Sequence, residues 1–290
     1  MRLDDLQESD NVDDLRGSGG GGGGGGRGMA MGGGTLVLLL VVYLLGGDPR
    51  ALLSSMQGSG PAPGPRVEQR ELTPQQKETD TFVKKILKST EGVWQDEFSK
   101  MGKTYEVPRL ELFSDSVRSG CGDASSQMGP FYCPADRKVY IDLTFFDELD
   151  QRFGAAGDFA RAYVIAHEVG HHVQNLLGIS EQVSEAERRG SKAQANQLSV
   201  RLELQADFLA GMWARKGQEK FNFLQDGDIE EGIRAANAIG DDTLQKETQG
   251  RVVPDSFTHG TSAQRVKWFK LGYQSDHFDP NNNTFQAKDL

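Results

Sequence analysis

DFARAYVIAHEVGHHVQNLLG, residues 158–178, decides how the rest of this chain is read. Asp158 is a residue type that caps helix N-termini and Gly178 one that closes C-termini, so the stretch predicts a single helix between them. At about 100° per residue, Phe159, Ala162, Ile165, Ala166, Val169, Val173, Leu176 and Leu177 fall on one broad apolar arc. His167, Glu168 and His171 fall on the other side and form an H-E-x-x-H motif. Residues four apart on a helix are neighbours, so both imidazoles can reach one cation, while Glu168, turned about 100° away, can hold a water. His172 points about 100° from His171 and reads as a packing or hydrogen-bonding histidine rather than a ligand.

Two histidines do not complete a catalytic zinc site; a third protein ligand is needed, with water in the fourth position. Downstream, Ser191 to Gln194 has the S-x-x-Q form of a capping box, and the helix it opens carries Glu203 and Asp207 one turn apart among leucine, alanine and phenylalanine. Carboxylates set among apolar residues require a cation or a donor, because burying a bare charge is costly. Glu203 is assigned as the third ligand, and Asp207 as the neighbour that accepts a proton from a ligating histidine. The reverse assignment stays open, since either carboxylate can bind zinc.

Outward from these helices, the chain has 290 residues and a net charge of −10, from 32 basic and 42 acidic side chains. No basic cluster stands out, so nucleic acid is not expected as a partner. Two cysteines and no C-x-x-C argue against a second, thiolate-bound zinc. Residues 1–28 are acidic and then glycine-rich, a composition expected to remain disordered. Residues 29–47 carry no charge and contain a short apolar run. They are read as a membrane anchor, with the h-region of a signal peptide as the alternative; the long leader and the lack of an A-x-A site favour the anchor. Residues 48–72 form a Gly/Pro/Ser linker, and the folded domain is expected over 73–290.

Within that domain, Thr73-Pro74-Gln75-Gln76 predicts a capped helix start, followed by two helices or one bent one through Phe98. A strand is expected over 105–113, and a hairpin of strands at 131–133 and 138–143 turning through Pro134 to Arg137. Thr144 is expected to cap a short helix before the histidine helix. The hairpin strand could pair with an extended peptide beside the metal, or lie inside the sheet with no free edge. The fold class is α+β, mainly helical, with a small sheet.

H-E-x-x-H followed by E-x-x-x-D on a later helix resembles the gluzincin metallopeptidases. CPADRKVYIDLTFFDEL, the histidine helix and SFTHGTSAQRVKWF together resemble a bacterial membrane-anchored family of neutral zinc metallopeptidases. The acidic start, glycine run and apolar segment are similar to that family as well. The resemblance implies an N-terminal anchor, a peptidase domain outside the cytoplasm, bound Zn2+ and a peptide or protein substrate. Thr258-His259-Gly260 and Arg265 are similar to the T-H-P-x4-R pattern of integral-membrane gluzincins, with glycine in place of proline. His259, at the start of a helix capped by Thr261, is therefore a candidate donor to a developing oxyanion, or else an exposed loop histidine.

The function expected is a single-pass membrane zinc peptidase with Glu168 as general base. The alternatives are a zinc-stabilised binding or scaffold protein, or a metal-dependent hydrolase of non-peptide substrates. Cys121 and Cys133 are twelve positions apart and within reach of one another. A disulfide between them is expected, because the apolar segment would place the domain in an oxidising space; free buried thiols, which would fit a cytoplasmic domain, are the alternative.

Overall fold

The computed structural model describes residues 1–16, 72–278 and 284–290. It is α+β and mainly helical, with a small sheet. β1 (Val12–Asp14), β2 (Arg109–Phe113), β5 (Phe131–Cys133) and β6 (Lys138–Asp142) form one sheet in the order β1-β2-β6-β5. β1 and β6 both run parallel to β2, while β5 pairs antiparallel with β6 through the hairpin turn. β3 (Ser116–Ser119) and β4 (Gly122–Ser125) make a separate antiparallel ribbon. Cys121, at the ribbon's turn, is bonded to Cys133 at the end of β5 (S–S 2.05 Å), so the ribbon is tied to the last strand of the sheet.

The helices are α1 (Pro74–Lys100), α2 (Thr144–Gln151), α3 (Asp158–Leu176), α4 (Ile179–Arg189), α5 (Lys192–Phe221), α6 (Asp228–Ala238), α7 (Asp241–Gln249) and α8 (Ser262–Gln274). The capping boxes expected at Thr73, Ser191 and Thr261 are all formed, with reciprocal bonds to Gln76, Gln194 and Gln264. α1 is one continuous helix rather than two. Two other caps differ from expectation. Asp158 is the first residue of α3, not its cap, and the Phe159 N–H there is accepted by Glu231 of α6 at 3.0 Å. Thr144 likewise begins α2, with its N–H and hydroxyl held by Asp142.

α3 is buried on nearly every side, which is why its sequence is so apolar. Leu110, Val139 and Ile141 of the sheet, Ile86 and Trp94 of α1, and Leu209 and Trp213 of α5 share one core with it. Two close approaches between helices matter for the site. A Cβ at Gly170 would lie 3.1 Å from the carbonyl oxygen of Ala206, so α3 and α5 meet almost backbone to backbone. A Cβ at Gly272 would lie 1.9 Å from the Phe208 carbonyl oxygen, and one at Gly211 would lie 2.0 Å from that of Phe269. Glycine on both helices lets α8 sit directly against α5.

The first sixteen residues correct an expectation. Residues 1–16 are not a disordered leader: β1 pairs with β2, Leu6 is part of the core, and Ser9 and Asn11 hydrogen-bond to the buried carboxylate of Glu91. Arg16 reaches Asp80 of α1 at 2.6 Å.

The expectation of a single-pass membrane protein with an extracytoplasmic domain is corrected too. Among the described residues no helix is long and apolar enough to cross a membrane. The apolar segment 29–47 and the linker expected over 48–72, all but its last residue, lie outside the described residues. The flanks Met1–Arg16 and Leu72–Leu290 nevertheless belong to one compact unit. A single crossing between them would separate β1 from β2 by a bilayer.

Candidate metal centre

The close contact of α3 with α5 sets Glu203 opposite the two histidines. His167 Nε2 lies 3.2 Å from Glu203 Oε2 and His171 Nε2 lies 3.4 Å from Glu203 Oε1. One donor atom from each of the three residues falls within 4.8 Å of the others. Two imidazole nitrogens and one carboxylate oxygen, with the two rings at right angles and 4.8 Å apart, make a donor set that suits zinc. Burial alone would raise the Glu203 carboxyl, but the facing histidines outweigh it and keep it well below the usual range. Burial would likewise lower His167, yet Asp207 and Glu203 raise it to about 9.

Each histidine's other ring nitrogen is engaged. His167 Nδ1 donates to Asp207 Oδ1 at 2.9 Å, and His171 Nδ1 donates to Gln174 Oε1 at 2.9 Å. Both Nε2 atoms are thereby turned towards Glu203. Asp207 is fully buried and belongs to a larger cluster. Arg265 of α8 donates to both its oxygens, at 2.9 and 3.0 Å, and the Tyr163 hydroxyl donates to Oδ1. Burial opposes the charge on Asp207, but Arg265 and His167 outweigh it and lower its pKa. Asp207 thus lies on the Nδ1 side of His167, with both of its oxygens occupied.

These groups form one wall of a cleft of about 630 Å3. His167, Glu168, His171, Glu203 and His259 all line it, as do Phe131 and Tyr132 of β5. β5 is the last strand on its side of the sheet, and among the described residues no further strand pairs with it. β5 is tied to α3 by His172, whose pKa burial lowers to about 4. His172 Nε2 donates to the Glu106 carbonyl at 2.6 Å, and Nδ1 accepts from the Tyr132 hydroxyl at 3.0 Å.

His259 also lines the cleft, its side chain about half exposed. Its Nδ1 lies 3.2 Å from Asp241 Oδ1, and Asp241 Oδ2 accepts from the backbone N–H groups of Thr258, His259 and Gly260. The bond to Asp241 outweighs burial and raises the His259 pKa. The sequence reading missed Asp241, Gln174 and Tyr163. Tyr163 and Gln174 carried a signal, being one turn before His167 and one turn after His171 on the same helix. Asp241 carried none, since it comes from a separate helix start.

The family model described as "Putative neutral zinc metallopeptidase" matches residues 1–285. Uncharacterized protein YpfJ of Escherichia coli (strain K12) is 50% identical over 287 residues, covering 98% of this chain and 99% of that protein. Uncharacterized protein Rv2575 of Mycobacterium tuberculosis (strain ATCC 25618 / H37Rv) is 47% identical over 197 residues, covering 64% of this chain and 65% of that one. No solved structure matches the chain. With the model match running from the N-terminal strand through the last helix, this chain belongs to the family of neutral zinc metallopeptidases that the description names.

Proposed function

We propose that the protein is a zinc-dependent peptidase that hydrolyses peptide bonds in the cleft between β5 and α3. The observation that carries this reading is that Glu168 lines the same cleft as the donor cluster. A purely structural zinc closes its coordination with four protein ligands and needs no base, whereas three ligands beside a carboxylate suit hydrolysis.

His167, His171 and Glu203 would hold the metal. When bound, zinc supplies Lewis-acid chemistry, polarising a carbonyl and acidifying water towards a pKa of about 7. Glu168 accepts the proton of the attacking water and delivers it to the leaving amine. His259, oriented by Asp241, donates to the substrate oxygen as it becomes anionic. The outer edge of β5 can pair with an extended substrate backbone, and Phe131, Phe145 and Phe153 give the cleft apolar walls for its side chains.

The test is incubation of the purified full-length chain with a peptide library, with and without a chelator. Cleavage that the chelator abolishes and zinc restores is expected. Glu168→Gln should keep one zinc per chain and lose turnover, and His259→Ala should lower kcat about 100- to 1,000-fold with metal intact. Zinc uptake without any cleavage would favour a binding protein, and full turnover in Glu168→Gln would remove the general-base role.

A further inference from the structure

The two ligating histidines are held by chemically different partners. His167 leans on a charged, buried carboxylate, Asp207, but His171 leans on a neutral amide, Gln174. Gln174 is completely buried on α3. Its Nε2 donates to the backbone carbonyl of Leu202 at 2.7 Å and to Gln205 Oε1 at 3.0 Å. A backbone carbonyl can only accept, so the end of the amide facing Leu202 must be the NH2 group. The oxygen end therefore faces His171, which must donate from Nδ1. The carbonyl on α5 thus dictates, through one side chain, which nitrogen of His171 carries the proton. It leaves Nε2, which faces Glu203 Oε1 3.4 Å away, as the ring nitrogen available to a cation.

The second bond has its own consequence. Leu202 immediately precedes Glu203, so Gln174 ties the helix bearing the histidines to the backbone that carries the third donor. We propose that Gln174 is a positioning residue for the metal centre, fixing the tautomer of His171. This rests on the metal-binding reading above. Asp207 cannot substitute for it, since both of that carboxylate's oxygens are taken by His167, Tyr163 and Arg265.

The test uses the full-length chain and zinc affinity measured by competition with a chromophoric chelator. Gln174→Leu removes the acceptor and the donor together, and the zinc Kd should rise about 10- to 100-fold. Gln174→Glu keeps an acceptor for His171, and its Kd should stay within a few-fold of wild type. The absorption spectrum of the cobalt(II) form should shift in the leucine variant and not in the glutamate one, a change that loss of global stability does not produce. Circular dichroism establishes that each variant is folded. A folded Gln174→Leu chain with wild-type affinity would overturn the proposal, and so would equal losses in the leucine and glutamate variants.

A measurement on the unmutated protein guards against a variant that fails to fold. Long-range proton–nitrogen NMR of the zinc-loaded chain should show His171 protonated at Nδ1 and metal-shifted at Nε2; the reverse pattern refutes the assignment. Wild-type protein that takes up no zinc would bring down the metal reading and this inference with it. Wild-type zinc uptake with an unaffected leucine variant would bring down this inference alone.

Discussion

His167 and His172 lie on the same helix, yet the fold holds them in opposite charge states. In the metal-free protein His167 is raised to about 9 by Asp207 and Glu203, whereas burial lowers His172 to about 4. The signs follow from comparison with an ordinary histidine near 6.5. A raised folded pKa stabilises fully below the unfolded value and is lost as pH climbs, so the His167 contribution disappears between pH 6.5 and about 9. A lowered one stabilises above the unfolded value, so the His172 contribution is lost as pH falls from 6.5 to about 4. The second loss is on the order of 3 kcal/mol at one pKa unit per 1.36 kcal/mol. Chemical denaturation of the chelator-treated chain across pH should show both slopes, and His172→Gln should flatten the acidic one alone. Zinc must displace the proton on His167, so its affinity should tighten with rising pH, by about tenfold per unit for each proton released. An affinity independent of pH between 6.5 and 9 would mean that His167 is not protonated in the metal-free site. At this scale His167, His171 and Glu203 were legible because a cation imposes spacing on its ligands. Gln174 was legible only as a neighbour one turn after His171, and Asp241 not at all, because it reaches His259 from a separate helix start.

The capped helices were legible for a related reason: a capping box is a local, four-residue bargain between side chain and backbone, so Thr73, Ser191 and Thr261 announce their helices unaided. The start of α3 escaped this logic because its first N–H groups are satisfied from α6 through Glu231, a partner distant in sequence. Helix separation is likewise tertiary. Nothing near Gly272 in the sequence says that it lies against Phe208, yet the contact delivers Arg265 to Asp207 and so fixes Asp207 behind His167. Gly272→Ala should therefore act at a distance. With its Cβ 1.9 Å from a backbone oxygen, α8 must move away from α5. We expect a loss of about 1–3 kcal/mol or more from overpacking, measured by urea denaturation. A fall in zinc affinity should accompany it as the Arg265–Asp207 pair loosens. Gly102→Ala, at a helix end where no atom lies within 4 Å, is the control: it strains only a positive φ and should leave zinc affinity unchanged. Equal zinc affinity in Gly272→Ala and wild type would show that α8 does not set the position of Asp207.

For the molecule as a whole, composition misled at the N-terminus. Val12-Asp13-Asp14 has little strand propensity, and the glycines beyond it made the whole region read as unstructured. Its order comes from elsewhere. Asp13 is paired with Arg109 on the neighbouring strand, Leu6 enters the core, and Ser9 and Asn11 bond to Glu91. Lys88 lies on the same Glu91 at 3.0 Å, and Arg16 reaches Asp80 at 2.6 Å. Removing residues 1–16 would expose an apolar face of α1, leave β2 as a bare edge and strip a buried carboxylate of two donors. Burial of one leucine side chain is worth about 1.5–3 kcal/mol, and each lost donor to a charged buried group adds about 1.5–3 kcal/mol. A chain beginning at Leu72 should accordingly unfold at a clearly lower urea concentration than the full chain, or fail to accumulate as folded protein. A synthetic peptide of residues 1–16 added in trans should recover part of the loss, because β1 contacts β2 through ordinary strand pairing. The metal donors lie on α3 and α5, away from this strand, so whatever fraction remains folded should bind zinc with nearly full affinity. An unchanged urea midpoint in the chain beginning at Leu72 would mean that the N-terminal strand decorates the domain rather than completing it.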